Sequence, residues 1–320
     1  MSEIFFLAGG SGMVGSALAR RLKNETNVEI IAPTHSELDL TNQAAVQDYF
    51  KQHNFTQVYF AAALVGSIHA NNTYPAEFIY QNLMMECNVI HAAHQAGIEK
   101  LLFLAASCVY PKLAQQPMSE EVLLRGPFEP TNEPYAAAKL AGMKLCESYN
   151  RQYGHDYRIV MPASLYGPGD NFHLENAHVI PGLIRRFHEA RYNNDQTISI
   201  WGSGNPRREF MYVDDMADAC VYIMDLPKAK LEGATSAQLS QINIGTDEDC
   251  SIAELASTIR NIVGYTGEIV FDTSKPDGMM RKLLDTAKLK SLGWQSAVPL
   301  EQGLKETYFW FMENQDQLRS

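Results

Sequence analysis

Three short groups of residues could do chemistry. The first is Ser107-Cys108, a hydroxyl and a thiol directly after the apolar run 101–106. A thiol with an ordinary pKa of about 8.5 can take up or release a proton near neutral pH. The alternative is simple packing, because free cysteine is among the residue types that are most often buried. This stretch alone leaves both readings open.

The second group is Tyr135 and Lys139, which lie four residues apart in a helical pattern and therefore on one helix face. A free phenol, with a pKa of about 10, is a poor acid or base at neutral pH, and a neighbouring ammonium favours its ionised form. The pair predicts a tyrosine that transfers protons. An ordinary surface pair with the same spacing is the alternative.

The third group is rich in glycine. Gly9, Gly12 and Gly15 stand between an apolar strand at 4–8 and a helical run at 16–23. This spacing lets the backbone approach a pyrophosphate at the helix N-terminus, where free N–H groups and the helix dipole favour an anion. We predict a dinucleotide site here, with a flexible turn before a helix as the alternative.

The end of the second strand, 28–32, bears on the choice of dinucleotide. It is followed by Ala-Pro-Thr-His-Ser, without the acidic residue that would bind an unmodified ribose 2'-hydroxyl. This favours NADPH over NADH. His35 is the nearby residue that could pair with a 2'-phosphate, because no Arg or Lys stands in this stretch.

Strands and helices that alternate from the N-terminus must position these groups. Such alternation predicts an α/β fold with a Rossmann-type doubly wound parallel sheet, whose ligands bind beyond the carboxyl ends of the strands. We expect strands at 4–8, 28–32, 57–62 and from 101, with helices at 16–23, 43–53, 75–96 and 135–153. Ser107 and Cys108 should lie at the ligand-binding edge.

Composition excludes several classes of function. The 320 residues are 46% hydrophobic and 20% charged, as in ordinary globular proteins, and carry a net charge of -11. That charge disfavours a nucleic acid or an anionic membrane as the main partner. No apolar run reaches membrane-spanning length and the N-terminus lacks the basic region of a signal peptide, so we expect a cytoplasmic protein. Five widely spaced cysteines without a CxxC pair predict neither disulfides nor a metal site.

Longer stretches of the chain resemble the extended short-chain dehydrogenase/reductase family, in particular its members that act on GDP-4-keto sugars. The matching stretches are AGGSGMVGSA (8–17), ANNTYPAEFIYQN (70–82), SCVYPKLAQQP (107–117), EPTNEPYAAAK (129–139), YGPGDNFH (166–173), HVIPGLI (178–184), WGSGNPRREF (201–210) and KPDGMMRK (275–282). The resemblance runs nearly end to end and is more specific than any one short motif.

The resemblance implies an NADPH-dependent homodimer that epimerises C3 and C5 of GDP-4-keto-6-deoxy-D-mannose and then reduces C4. It makes Tyr135 the proton donor to the C4 oxygen, and Lys139 the residue that lowers the tyrosine pKa and holds the nicotinamide ribose. Cys108 and His178 become the acid and base of epimerisation. Both C3 and C5 are alpha to the C4 ketone, so one oxyanion site can stabilise each enolate.

The resemblance also implies two sets of binding residues. The cofactor-binding set is Gly9, Gly10, Ser11, Gly12, Met13, Val14, Gly15, His35, Asp39, Leu104, Ala105, Ala106, Ser107, Tyr135, Lys139, Pro162, Ala163, Ser164, Leu165 and His178. The GDP-sugar set is Ser107, Cys108, Arg186, Trp201, Arg208, Asp277 and Lys282. Arginines suit diphosphate oxygens, whereas Arg185 and Arg207 are expected to be ordinary surface side chains.

Two departures from the family pattern affect the expected activity. Ala106 stands where the family has the catalytic serine that hydrogen-bonds the C4 oxygen. The neighbouring Ser107 would face the other way in a strand, so it is a doubtful substitute unless the strand has already ended. We therefore predict a weakened reductase that still binds both ligands. Met-Pro-Ala-Ser-Leu at 161–165 replaces the family's Pro-Thr-Asn, which leaves the exact sugar open.

Three other functions compete with this one. A C4 reductase of a related GDP-4-keto-deoxysugar, such as a colitose or heptose precursor, is the first. The second is a non-catalytic protein that binds NADPH and a sugar nucleotide. A 4,6-dehydratase fits less well, because it would carry Asp-Glu at 107–108.

Two domains are expected. A Rossmann domain should span 1–165, with a segment at about 205–225 returning to its sheet. A GDP-sugar-binding domain should comprise 166–204 and 226–320, including a strand near 241–244.

Overall fold

The computed structural model describes residues 3–66, 68–173 and 176–317. Its strands are β1 (Glu3–Ala8), β2 (Val28–Ile31), β3 (Gln57–Phe60), β4 (Lys100–Leu104), β5 (Asp156–Pro162), β6 (Ser164–Tyr166), β7 (Thr197–Trp201), β8 (Arg207–Tyr212), β9 (Gln241–Ile244), β10 (Asp249–Ser251), β11 (Glu268–Asp272) and β12 (Arg281–Lys282). Its α-helices are α1 (Met13–Leu22), α2 (Gln43–Gln52), α3 (Ile68–Thr73), α4 (Pro75–Gln95), α5 (Glu133–Tyr153), α6 (Val179–Asn193), α7 (Val213–Asp225), α8 (Lys228–Ala234), α9 (Ile252–Val263), α10 (Ala287–Leu292) and α11 (Leu300–Glu313).

Six parallel strands form the central sheet in the order β2-β1-β3-β4-β5-β9. The expected doubly wound α/β fold is thereby confirmed. The middle strands are almost entirely buried and apolar, as expected where helices cover both faces of a sheet. The chain runs from β1 out to β2 and then crosses back past β1 to β3. The crevice between β1 and β3 is therefore the switch point at which open sheets bind ligands.

Helix α5 carries Tyr135 and Lys139 at the carboxyl edge of the central sheet. It begins at Glu133 with Pro134 in the first turn, where a missing N–H costs no hydrogen bond. It ends at Tyr153, and the following Gly154, with a left-handed φ of 75°, closes the helix. Tyr135 therefore lies in the first turn, and Lys139 lies one turn deeper.

A second hydrophobic core lies apart from the first. Its apolar residues come from β6–β8, α6, α9 and α11, among them Ile184, Phe210, Leu255 and Phe311. Two small sheets frame it: β8 pairs with β6, β10 and β12, and β7 pairs with β11. Tyr308 and Phe311 in α11 are buried there, whereas Phe309 between them is 58% exposed.

Two strands join sheets other than those predicted. We expected 241–244 in the sugar-binding region, but β9 is the edge strand of the central sheet, where all four of its residues are buried. We also expected the strand near Arg208 to return to the central sheet, and β8 instead pairs with β6, β10 and β12. Of the segment that was expected to return to the central sheet, only α7 does so, and it packs on α1. Among the described helices, none is long and apolar enough to cross a membrane.

Candidate active site

The glycine-rich turn forms a cradle in which a side chain at Gly9 or Gly15 would clash with the backbone. Gly9 has a φ of +86°, and a Cβ there would lie 2.8 Å from the Cα of Ala62 on the neighbouring strand end. A Cβ on Gly15 would lie 2.0 Å from the Gly9 carbonyl oxygen. Gly12 directly precedes α1 and provides no side-chain cap, which leaves the helix N-terminus to an external anion. The cradle thus fits the pyrophosphate of a dinucleotide.

The loop after β2 presents few groups to a ribose phosphate. His35 and Ser36 are exposed there. Asp39 accepts hydrogen bonds from the backbone N–H of Thr41 at 2.9 Å and from its hydroxyl at 2.8 Å. These bonds, with a smaller effect of His35, hold the pKa of Asp39 below its usual value. Asp39 therefore shapes its own turn, and His35 is the basic side chain of this loop.

Tyr135 and Lys139 lie together, and Lys139 also forms an ion pair with Glu86. The Lys139 Nζ is 6.0 Å from the centre of the Tyr135 ring and donates to the Leu104 carbonyl at 3.1 Å. It also lies 3.3 Å from the Glu86 carboxylate, and both charged side chains are 2% exposed. Burial raises the pKa of Tyr135 well above its usual value, and Cys108 and Glu86 add to this effect. The expected lowering of the tyrosine pKa by Lys139 is not seen, because burial dominates.

The strand ends before the reactive pair. β4 stops at Leu104, Ala106 is extended with φ -150° and ψ 139°, and a 3-10 turn runs from Ser107 to Val109. The alternation of side chains in a strand thus does not apply to Ser107, and the reason for excluding it as a substitute for the missing serine is removed. Ser107 is 6% exposed, whereas Cys108 is partly accessible.

The Lys282 ammonium affects the pKa of both Cys108 and His178. Burial raises the pKa of the Cys108 thiol, and Lys282 and then Lys139 oppose that rise. His178 precedes the first residue of α6 and is reached by solvent, yet the surrounding protein and the Lys282 ammonium lower the pKa of its imidazole. Near neutral pH the pair therefore consists of a protonated thiol and a neutral imidazole, one acid and one base.

Two cations lie side by side, and one of them, Lys282, acts on both Cys108 and His178. Arg208 on β8 and Lys282 on β12 are register partners in adjacent parallel strands. Burial lowers the pKa of each side chain, and within the described part of the chain neither forms an ion pair. By contrast, Arg207, which was expected to be a surface side chain, is 40% exposed and pairs with Asp249 at 2.7 Å. The Arg208–Lys282 pair can hold a diphosphate.

The remaining expected substrate residues lie at the rim of the second core. Trp201 is 71% exposed, with the Lys275 Nζ 5.4 Å from its ring centre. Asp277 accepts hydrogen bonds from the backbone N–H of Ser203 at 2.9 Å and from its hydroxyl at 2.7 Å. Asp277 thus fixes the turn that follows Trp201. Arg186 donates to the carbonyl of Ser199 on β7.

Glu86 is the residue at this site that the sequence did not reveal. Its carboxylate lies beside Lys139, and the one available signal was an acidic residue within the apolar run of α4.

A doubly wound sheet with a glycine cradle and a tyrosine–lysine pair at the same edge defines a dinucleotide-dependent oxidoreductase. The sequence profile of the "NAD dependent epimerase/dehydratase family" matches residues 5–245. The chain is 59% identical over 314 residues, 98% of each chain, to "GDP-L-fucose synthase" of Escherichia coli (strain K12). It therefore belongs to this epimerase/dehydratase family, which confirms the resemblance seen in the sequence.

Two further relatives carry other names. The chain is 38% identical over 311 residues, 97% of its length and 98% of the relative's, to "GDP-L-colitose synthase" of Yersinia pseudotuberculosis. It is also similar to the solved structure of a "GDP-mannoheptose C4 reductase from Campylobacter jejuni with NADP bound". That similarity has a TM-score of 0.87 and 36% identity, and covers 97% of this chain and 98% of the other.

Proposed function

We propose that this chain is an NADPH-dependent enzyme that converts GDP-4-keto-6-deoxy-D-mannose into GDP-L-fucose by 3,5-epimerisation and 4-reduction. The observation that carries the proposal is its 59% identity with the Escherichia coli synthase across 98% of each chain. The relatives bear out the expected enzyme class, and the NADP-bound neighbour bears out the expected cofactor. We also propose roles for individual residues.

Cys108 and His178 would carry the epimerisation. Inversion at C3 or C5 needs a base on one face of the sugar and an acid on the other. A neutral imidazole and a protonated thiol supply one of each, and the pKa directions of the two groups favour that state at neutral pH. Lys282 lies close enough to both groups to act on their charge.

Tyr135 would protonate the C4 oxygen during reduction. NADPH, when bound in the glycine cradle, supplies the hydride for C4. At neutral pH the Tyr135 phenol, whose pKa is raised by burial, is in the protonated form that proton donation requires. The nearby Lys139 ammonium is the group that would make it a better acid. Ala106 offers no hydroxyl to the same oxygen, so we expect a slower enzyme than a relative with serine at that position.

The test is NADPH oxidation by the purified chain with a panel of GDP- and dTDP-4-keto sugars. We expect oxidation with GDP-4-keto-6-deoxy-D-mannose and none with its dTDP counterpart. If hydride is transferred to none of the sugars, the result would instead support a non-catalytic protein that binds NADPH and a sugar nucleotide.

A C4 reductase of another GDP-4-keto sugar is the second candidate. Ala163-Ser164 stands where the family has Thr-Asn, directly after β5, and the colitose and heptose enzymes are similar over nearly the whole chain. In the sugar panel, faster oxidation with the 3,6-dideoxy or heptose substrate would favour this candidate.

The proposed assembly is a cytoplasmic homodimer formed through α4 and α5. These helices pack on each other, and the outward side of α4 carries Tyr80, Leu83, Met84 and Cys87 at helical spacing. An apolar stripe that faces outward favours a second copy as its partner. Analytical ultracentrifugation should give twice the chain mass, and a monomer at micromolar concentration would contradict the assembly.

We also propose that the GDP-sugar-binding domain comprises 166–204 and most of 226–320. The strand β9 (Gln241–Ile244) is excluded from it, since it belongs to the central sheet.

A further inference from the structure

Behind the tyrosine–lysine pair lies a buried carboxylate that the proposed chemistry does not use. Glu86 on α4 is buried, and its Oε1 lies 3.3 Å from the Lys139 Nζ. Within the described residues, no hydrogen bond of good geometry reaches either carboxylate oxygen. The Lys139 ammonium, with a smaller contribution from the Gly142 backbone N–H, compensates its charge there.

The surroundings of this ion pair are apolar. The Lys139 Nζ lies 4.8 Å from the ring centre of Phe103 and 5.9 Å from that of Phe60. Gly142 on α5 leaves room for the carboxylate, because a Cβ there would lie 2.6 Å from the Glu86 Oε2. In such surroundings each charge depends strongly on the other, and the removal of one leaves the other uncompensated.

We propose that Glu86 is a positioning residue for Lys139. It holds the ammonium at the Leu104 carbonyl and determines how much of the positive charge acts on Tyr135 and on the cofactor ribose. This inference rests on the proposed function, which places Tyr135 and Lys139 in the reaction.

The ionisable groups around Glu86 respond to its charge. They are Lys139, Tyr135 and Cys146 on α5 and Cys87 on α4. Burial raises the pKa of Glu86 to about 7, and Lys139 opposes this rise. The Glu86 carboxylate in turn contributes to the raised pKa of Tyr135, Cys146 and Cys87. Loss of its charge should therefore make the Tyr135 phenol more acidic.

The principal variant is Glu86→Gln, which keeps the shape of the side chain and removes its charge. We expect the Kd for NADPH, measured by fluorescence titration, to rise about tenfold, the lower end for one lost charge-assisted hydrogen bond. The alkaline limb of the kcat profile should move to lower pH. Glu147→Gln is the matched control, because Glu147 is equally buried on α5 and pairs with Lys144 at 2.8 Å. It should change neither measurement.

Combination with Lys139→Met tests whether Glu86 acts through the lysine. In that background Glu86→Gln should add no further loss of NADPH affinity, and an additive loss would overturn the proposal. Glu86→Asp keeps a carboxylate should the glutamine variant not fold. It should retain the alkaline limb of the unmodified chain, and a limb displaced to lower pH in this charged variant would count against the proposal.

An unchanged Kd and pH profile in Glu86→Gln would also overturn the inference. If the unmodified chain oxidises no NADPH with any sugar, the proposed function fails, while the affinity measurements still decide the role of Glu86.

Discussion

A hydroxyl at position 106 should raise turnover. Ala106 follows β4 in an extended conformation and is partly exposed, two residues after the Leu104 carbonyl that binds Lys139. Ala106→Ser adds one oxygen at a site with access to solvent, so it need not displace buried neighbours. We expect the free energy of unfolding to change by less than about 0.5 kcal/mol.

The magnitude follows from the charge that develops on the C4 oxygen. A donor aimed at a developing oxyanion changes turnover by roughly 100-fold to 1000-fold. Because residue 106 is partly exposed, water competes for its hydrogen bonds, and we expect the lower end of this range. A 100-fold increase in kcat corresponds to about 2.7 kcal/mol in the activation free energy.

The assay is kcat for NADPH oxidation with saturating GDP-4-keto-6-deoxy-D-mannose. Ser107→Ala serves as the control, and we expect it to raise KM with little effect on kcat. The reasoning is refuted if Ala106→Ser turns over at the rate of the unmodified chain. It is also refuted if Ser107→Ala abolishes turnover, because Ser107 would then already supply the hydroxyl from its 3-10 turn.

Three further predictions concern other parts of the molecule. Ser36→Arg should raise the ratio of kcat/KM for NADPH over NADH by about tenfold, since a charge-assisted bond to a 2'-phosphate is gained; an unchanged ratio would contradict the role given to the loop of His35. Cys108→Ser should slow solvent deuterium exchange at C3 and C5 by about 100-fold or more, and mass spectrometry showing normal exchange would exclude the thiol. Gly142→Ala should destabilise the fold by about 1–3 kcal/mol in urea unfolding, because its Cβ would lie 2.5 Å from Phe103; an unshifted midpoint would argue against that packing.

The central sheet could be predicted from the sequence because its strands and helices alternate with clear periodicity. The pairing of the strands could not be predicted from the sequence. The sequence of β9, Gln-Ile-Asn-Ile, alternates polar and apolar residues like a half-exposed strand. In the structure Gln241 and Asn243 are buried, because the Gln241 amide binds the Glu120 carbonyl and the Asn243 amide binds the Met118 carbonyl. Such tertiary partners are invisible in a local pattern.

The candidate active site could likewise be predicted only in part. The helical spacing of Tyr135 and Lys139 and the glycine spacing predicted where these groups would lie. The role of Glu86 could not be predicted, because a carboxylate becomes significant only when folding buries it against a lysine of another helix. The direction of the Tyr135 pKa was likewise outside the reach of the sequence, because it depends mainly on burial.

The most direct test of the proposed function is the product formed in D₂O from NADPH and GDP-4-keto-6-deoxy-D-mannose, analysed by NMR. We predict GDP-L-fucose with solvent deuterium at C3 and C5 and with protium from NADPH at C4. A C4-reduced product without deuterium at C3 and C5 would contradict the epimerase activity, and the absence of any reduced product would contradict the proposed function as a whole.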